Sequence, residues 1–150
     1  MLPVRADCQR ELMNPDLKTT EANKEVVRRL FAAFAASDDA AMDAVLTADF
    51  LPHGMPPGCS QDAAGMKKTA ALMHAGLHDC RNEIEDLVAE GDMVVARYTT
   101  RAIHGAELFG VPPSGRKVTL TGMEMYRLSN DKVAEFWGEY NMSELFEPAD

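Results

Sequence analysis

Hydrophobic residues follow a helical spacing through the first half of the chain. In TEANKEVVRRLFAAFAAS, residues 20–37, apolar positions recur every three or four residues, with Lys and Arg on the other side. SDDAAMDAVLTADF (37–50) and QDAAGMKKTAALMHAGL (61–77) repeat this spacing. LPHGMPPGCS, residues 51–60, is rich in Pro and Gly, which is typical of a loop. The pattern predicts three helices, with this loop before the third.

Residues suited to capping helices stand at the predicted helix starts. Thr20 precedes the first helix, Ser37 and Asp38 precede the second, and Ser60 precedes the third. Their side-chain oxygens can accept hydrogen bonds from the free N–H groups of a first helical turn.

The spacing changes to alternation in the second half of the chain. RNEIEDLVAEGDMVVARYTTRAIHG (81–105) reads as two strands that turn at Glu-Gly-Asp. KVTLTGMEMYRL (117–128) and VAEFWGEYN (133–141) read as two further strands. Helices followed by a run of strands predict an α+β fold with an antiparallel sheet covered on one face. We assign residues 1–18 to an N-terminal extension and residues 19–150 to one domain.

Composition and charge limit the classes of partner. The chain has 150 residues, enough for one domain with a substantial core. Its net charge of −9 argues against nucleic acid and against an anionic membrane surface, because both bind basic proteins. The acidity says little about small neutral ligands.

The cysteines and the N-terminal segment bear on the compartment. Cys8, Cys59 and Cys80 form no C-x-x-C pair, and an odd number of cysteines argues against a disulfide framework or a metal site. No apolar run approaches the ~20 residues of a membrane span, and the N-terminus lacks the apolar core of a secretory signal. We expect a cytoplasmic protein.

Four motifs together resemble the SnoaL-like polyketide cyclase family, which belongs to the nuclear-transport-factor-2-like superfamily. They are VAEGDMVVARYT, LFGVPPSGRKV, TGMEMYR and KVAEFW, and the resemblance extends over roughly residues 21–146. It implies a cone-shaped, curved antiparallel sheet that is backed by the three helices and encloses an apolar pocket. It also implies ring closure by aldol condensation of an apolar polyketide-like substrate, with an acidic residue as acid/base and no metal or cofactor. Dimers and tetramers that pack through the outer sheet face are usual in the superfamily, and we expect a homodimer.

The strand VAEFWGEYN departs from the family pattern. The resemblance implies an Asp four residues after the Trp, and this chain has Asn141 at that position. An amide cannot take up a proton at neutral pH, but it can orient groups or donate a hydrogen bond. Alternation puts Glu135, Trp137, Glu139 and Asn141 on one face, together with Val133. Either Glu139 supplies the missing carboxylate beside Trp137, or the acid/base has been lost.

Two histidines are further candidates for proton transfer, because the ordinary pKa of histidine lies near 6.5. His53 lies in the predicted loop, where many family members carry a His. His104 ends a strand just before a loop that could cover the pocket. The alternative for His53 is an exposed loop histidine, and His104 either lines the pocket or lies outside it.

The remaining candidates lie on predicted strands and in one loop. Glu124 shares a face with Gly122 and Tyr126, and a glycine there leaves space for a ligand or for a close crossing. Arg97 binds a substrate carboxylate or carbonyl if its face is concave, and otherwise forms an ion pair at the surface or at a dimer interface. Phe109 lies in a Pro- and Gly-rich loop that either covers the pocket or packs on a second subunit.

The sequence therefore offers several candidate site residues. The proton-handling candidates are Glu139, His53, His104 and Glu124, and the substrate-binding candidates are Asn141, Trp137, Arg97, Tyr126 and Phe109. Three functions remain open: a cyclase-like or isomerase-like acid/base enzyme, a non-catalytic ligand-binding protein on the same scaffold, and a hydrolase- or dehydratase-type relative.

Overall fold

The helical first half and the alternating second half fold into the two layers that their patterns predict. The structure is a computed structural model that describes residues 15–148, with side chains from residue 18 onward. Residues 1–14 of the predicted extension lie outside the described residues, and residues 15–18 already belong to the first helix. The described elements are α1 (Pro15–Ala35), α2 (Asp39–Val45), β1 (Leu46–His53), α3 (Ala63–Gly76), β2 (Leu77–Glu90), β3 (Met93–His104), β4 (Lys117–Ser129), β5 (Lys132–Asn141) and α4 (Ser143–Phe146).

The helix starts differ in part from the predicted caps. Asp38 caps α2, since its carboxylate accepts a hydrogen bond from the Ala41 N–H at 3.0 Å. Asp62 rather than Ser60 caps α3, because the Ser60 hydroxyl is engaged in donating to the Asp62 carboxylate at 2.6 Å. Thr20 lies within α1, which begins five residues earlier at a proline, a residue well tolerated in a first turn.

The sheet has five strands in the order β1-β5-β4-β3-β2, with β1 parallel to β5 and the other pairs antiparallel. The sequence pattern missed β1, which covers the end of the predicted second helix and the start of the predicted loop. Its buried positions Leu46, Phe50 and Pro52 are irregularly spaced, and its register to β5 is interrupted between Leu46 and Leu51. The proline is compatible with a strand here because β1 lies at the sheet edge.

A bulge changes which residues of β5 face the helices. Arg127 pairs with Glu135 while the next residue, Leu128, pairs with Val133, so β5 carries one extra residue. Val133 is therefore buried with Phe136, although simple alternation predicts Val133 on the face of Glu135.

The inner face of the sheet packs against the three N-terminal helices. The main core joins Val26, Val27 and Leu30 of α1 to Val94 and Tyr126 of the sheet. The architecture confirms the predicted α+β fold with a curved, open sheet backed by helices. Within residues 15–148, no helix is both long enough and apolar enough to cross a membrane.

Candidate functional site

An apolar cavity of about 310 Å³ lies between the inner face of the sheet and helices α1 and α3. Its walls combine aromatic and methionine side chains with a few polar groups. The apolar lining includes Leu30, Phe31, Phe34, Met66, Met73 and Phe109. A concave, mostly apolar space with few polar groups is the usual form of a small-molecule site.

Glu124 is the one carboxylate among the described residues of the pocket wall, and three tyrosines donate hydrogen bonds to it. The hydroxyls of Tyr98 and Tyr140 each lie 3.1 Å from Oε1, and the Tyr126 hydroxyl donates to Oε2. The tyrosines come from β3, β4 and β5, so the network joins three neighbouring strands. Glu124 keeps some accessible surface because its side chain faces the cavity.

Two glycines make room for this network. The register pairs Gly122 with Tyr98 and Gly138 with Glu124. A Cβ at Gly122 would lie 2.5 Å from the Tyr98 hydroxyl, and a Cβ at Gly138 would overlap the Tyr140 hydroxyl. The absence of side chains at these two positions leaves room for both tyrosine rings to pass over the glycines and reach the carboxylate.

Aromatic packing holds two of the tyrosine rings from above. Phe31 of α1 packs edge-on against Tyr98 at a ring-centroid distance of 5.1 Å and against Tyr126 at 6.4 Å. Tyr126 also contacts Phe136 at 5.5 Å. These contacts fix rings whose hydroxyls would otherwise rotate away from Glu124.

The buried environment shifts the pKa values of the cluster. Burial raises the pKa of Glu124 above its ordinary range, although the tyrosine hydrogen bonds act in the opposite direction. Burial, followed by the nearby Glu124 charge, raises the pKa values of Tyr98, Tyr126 and Tyr140. The tyrosines therefore remain hydrogen-bond donors at neutral pH, and the carboxyl exchanges its proton closer to neutrality than an exposed glutamate does.

The structure brings together three of the residues singled out from the sequence. Glu124, Tyr126 and Phe109 all line the cavity. The space at Gly122 is filled by the ring of Tyr98 rather than by a ligand or a crossing element.

The β5 candidates Glu139, Trp137 and Asn141 do not reach the pocket, contrary to the prediction. Beyond the bulge, side chains on this strand alternate as predicted, but the face toward the cavity carries Phe136 and Tyr140. Glu139 is exposed on the outer face. Asn141 accepts a hydrogen bond from the backbone N–H of Ser143 at 3.1 Å, where α4 begins.

His53 also lies on the outer face of the sheet rather than at the pocket. Its ring stacks on Trp137 at a centroid distance of 4.7 Å, and its Nε2 lies 3.1 Å from a Glu135 carboxylate oxygen. Arg127 pairs with the same carboxylate at 3.4 Å and also with Asp92 at 3.4 Å. Glu135 and Trp137 therefore belong to a surface cluster, in which the carboxylate is paired and the indole ring is stacked.

The last two candidates are also displaced from the cavity. His104 is only 1% exposed and is not part of the pocket lining, because the loop after β3 folds back on it. Its backbone pairs with this loop through Arg116 and Gly115. Arg97 points outward and forms an ion pair with Asp86 at 2.6 Å.

Sequence reasoning missed Tyr98 and Tyr140 as site residues. Both follow from the hairpin registers, since Gly122 pairs with Tyr98 on one side and with Tyr140 on the other. The alternation of β5 already separates Tyr140 from Glu139, because it puts these two residues on opposite faces of the strand. In the described part of the chain, no group of three or more His, Cys, Asp or Glu residues is positioned to hold a metal ion.

Solved structures with the same fold agree with this architecture. TsrD from Streptomyces laurentii superposes with a TM-score of 0.75 at 22% identity, covering 83% of this chain and 92% of TsrD. IdmH from Streptomyces antibioticus, a proposed polyketide cyclase, gives 0.71 at 26% identity, covering 83% and 95%. AclR from Streptomyces galilaeus, a proposed hydroxylase, gives 0.73 at 25% identity, covering 87% and 89%.

Comparison with curated protein sequences finds no match. The family model of the SnoaL-like polyketide cyclases matches residues 24–147, which include every strand and the whole pocket wall described above. The chain therefore belongs to the SnoaL-like polyketide cyclase family.

Proposed function

We propose that this chain is an acid/base enzyme that performs an aldol-type cyclisation or an isomerisation on an apolar carbonyl compound. The observation that carries the proposal is a carboxyl group with a raised pKa, Glu124, on the wall of an apolar cavity and surrounded by three tyrosine donors. The proposal uses no metal or cofactor, in keeping with what the family resemblance implies.

Glu124 is the proton carrier in this mechanism. Its carboxylate removes a proton from the carbon next to a substrate carbonyl, the C–H electrons form an enolate, and the negative charge moves to the carbonyl oxygen. In a cyclisation, the enolate carbon forms the new C–C bond to a second carbonyl carbon of the same molecule. The resulting alkoxide takes the proton back from Glu124. In an isomerisation, the proton returns to a different carbon.

The tyrosines stabilise the charge at each stage. Before the reaction, their hydroxyls donate to the Glu124 carboxylate. Once Glu124 is protonated, its neutral carboxyl group accepts hydrogen bonds less strongly than the carboxylate did. A tyrosine hydroxyl then becomes free to donate to the enolate oxygen. Tyr140 is best suited to this step because it is 44% exposed while Tyr126 is 2% exposed.

Hydrogen–deuterium exchange at the reacting carbon tests this function without knowledge of the natural substrate. A panel of apolar β-keto esters is incubated with the enzyme in D₂O, and loss of the proton signal is followed by NMR. We expect the wild-type protein to accelerate exchange for members of the panel that fit the cavity. Glu124→Gln should slow this exchange by about 10²–10⁴-fold, the usual value of a general base.

One observation favours a second candidate function, which is non-catalytic ligand binding. The three tyrosine hydroxyls and Glu124 satisfy one another, so the cluster is also a stable polar floor for a binding pocket. In that case, the β-keto esters bind to the wild-type protein and to Glu124→Gln, but neither protein accelerates exchange above the rate in buffer.

We also propose a homodimer that packs through the outer sheet face. The registers place Val88, Val95, Met125 and Trp137 side by side across four strands on this face. Val88 is 64% exposed and Met125 is 39% exposed. A continuous apolar row on an exposed sheet face supports association with another protein surface, and the family resemblance favours a second copy of this chain.

A further inference from the structure

A second polar group lies on the pocket wall, apart from Glu124. Asn82 of β2 pairs with Thr100 of β3 in the sheet register, and both line the cavity together with Cys80. The Thr100 hydroxyl donates to the Asn82 amide oxygen at 2.6 Å, and the Cys80 thiol donates to the same oxygen at 3.8 Å.

These contacts fix the orientation of the Asn82 amide. Thr100 is 5% exposed, and its buried hydroxyl needs an acceptor, which the amide oxygen provides. The amide NH₂ group is then directed away from Thr100 and Cys80. Asn82 itself is exposed at the cavity wall, so its two N–H groups are available to a molecule in the pocket.

The charge of the lining limits what these N–H groups can bind. Among the described residues that line the cavity there is no Lys or Arg, and Nδ1 of its one histidine, His74, lies 3.2 Å from the Ala35 carbonyl oxygen. A ligand carboxylate would therefore find no lysine or arginine partner. The neutral amide suits an uncharged acceptor such as an ester or ketone oxygen. Thr100 lies two residues beyond Tyr98 on the same strand face, which separates the two polar groups by roughly 6.6 Å along β3.

We propose that Asn82 binds a second carbonyl oxygen of the substrate, away from the oxygen that reacts at Glu124. The inference rests on the proposed function and names its substrate class, an uncharged apolar molecule with two separated carbonyl groups. Asn82 selects for the second carbonyl, and Thr100 acts as a positioning residue that keeps the amide turned toward the ligand.

Binding of paired probes tests this inference. One probe is a methyl ketone joined to a methyl ester through five methylene groups, and the other is an unbranched methyl ketone of equal chain length without the ester. The dissociation constants of both probes are measured for the wild-type protein, Asn82→Ala, Thr100→Val and Glu83→Gln. Glu83 is the control, because it neighbours Asn82 on β2 and forms an ion pair with Arg101 on the outer face.

We expect the affinity of the keto ester relative to the plain ketone to fall about three- to tenfold in Asn82→Ala, which is the usual effect of one neutral hydrogen bond. Thr100→Val should give a smaller loss, and Glu83→Gln should give none. The Asn82 side-chain NH₂ resonance should shift when the keto ester binds and should not shift with the plain ketone.

The outcomes separate the inference from the proposed function. If both probes bind and their affinity ratio is the same in wild type and Asn82→Ala, Asn82 does not recognise the ester and the inference is overturned. If neither probe binds the wild-type protein, the cavity is not a site for carbonyl compounds, and the proposed function fails together with the inference. Because binding is measured, the result does not depend on whether Glu124 turns a substrate over.

Discussion

At the scale of single residues, the chemistry of the site depends on which glutamate side chain is buried. Glu124 and Glu139 are both strand glutamates, but Glu124 faces the cavity beneath α1 and Glu139 is exposed on the other face of the sheet. Burial raises the pKa of Glu124 because it disfavours the ionised form, and the tyrosine donors keep the ionised form accessible. The combination produces a base that remains usable near neutral pH.

The pH dependence of the rate follows from these shifts. Because ionised Glu124 is the proposed base, kcat/KM should rise with pH through a pKa above the ordinary glutamate value of about 4.3. Activity should then stay level into the alkaline range, because the pKa values of Tyr98 and Tyr140 are raised and their hydroxyls remain protonated. Initial rates on an active β-keto ester measure the profile. A rate that falls with rising pH in the neutral range would rule out Glu124 as the base.

The stability of the fold should depend on the same proton. The pKa of Glu124 is raised in the folded state, so the folded chain holds this proton more tightly than the unfolded chain does. Its stabilising contribution is present below about pH 4.3 and is lost as the pH rises through the folded-state pKa. Glutamine does not ionise, so the Glu124→Gln variant does not lose this contribution. Its free energy of unfolding should therefore increase relative to that of the wild type as the pH rises through this window, as measured by urea unfolding at several pH values. A wild-type-to-variant difference that does not change with pH would contradict the shift.

At the scale of elements, the arrangement depends on the register of three neighbouring strands. In the β3–β4 pairing, the ring of Tyr98 covers Gly122 of the adjacent strand. On β5, the ring of Tyr140 covers Gly138, two residues before it on the same strand. A one-residue slip of any one of these strands would turn the tyrosine on that strand to the outer face. The glycines therefore belong to the site although they carry no chemical group.

Gly138→Ala should push the Tyr140 hydroxyl away from Glu124. We expect a stability loss of about 1–3 kcal/mol from overpacking, together with a lower exchange rate. A double-mutant cycle with Tyr140→Ala measures the coupling by urea unfolding. The glycine substitution should cost much less once the tyrosine ring is gone. Equal costs in the two backgrounds would mean that the ring does not rest on Gly138.

The sequence predicts most of these elements but not the direction in which they face. Alternation, together with the Glu-Gly-Asp turn between β2 and β3, was sufficient to predict β2 to β5, because these signals are local. β1 was missed because Leu46 and Phe50 also fit a helical spacing, and its strand form depends on pairing with β5. The inner face of β5 depends on packing against the helices, so alternation alone could not decide between Glu139 and Tyr140.

At the scale of the whole molecule, the two faces of the sheet have separate roles. The inner face and helices α1 and α3 enclose the cavity, while the outer face carries paired charges and an apolar row. The residues whose pattern resembles the family's acid/base strand, Trp137 and Asn141, belong to the outer face and the chain end. The proposed chemistry therefore uses a carboxyl group of the neighbouring strand, β4.

The proposed dimer predicts the effect of a charge in the apolar row. Met125→Lys should convert the dimer to a monomer, because it places a charge at the centre of the buried face. Leu72→Lys is the matched control, since Leu72 is similarly exposed, at 38%, but lies on α3. Sedimentation velocity at micromolar concentrations distinguishes the two. A wild-type protein that is monomeric at these concentrations would refute the interface.

Exchange of the substrate α-proton in D₂O, compared between Glu124→Gln and Glu139→Gln, tests the central claim most directly. The two substitutions are chemically identical and lie on opposite faces of the same sheet. We predict that Glu124→Gln loses about 10²–10⁴-fold in rate while Glu139→Gln keeps the wild-type rate. Loss of exchange in Glu139→Gln with retention in Glu124→Gln would contradict the account.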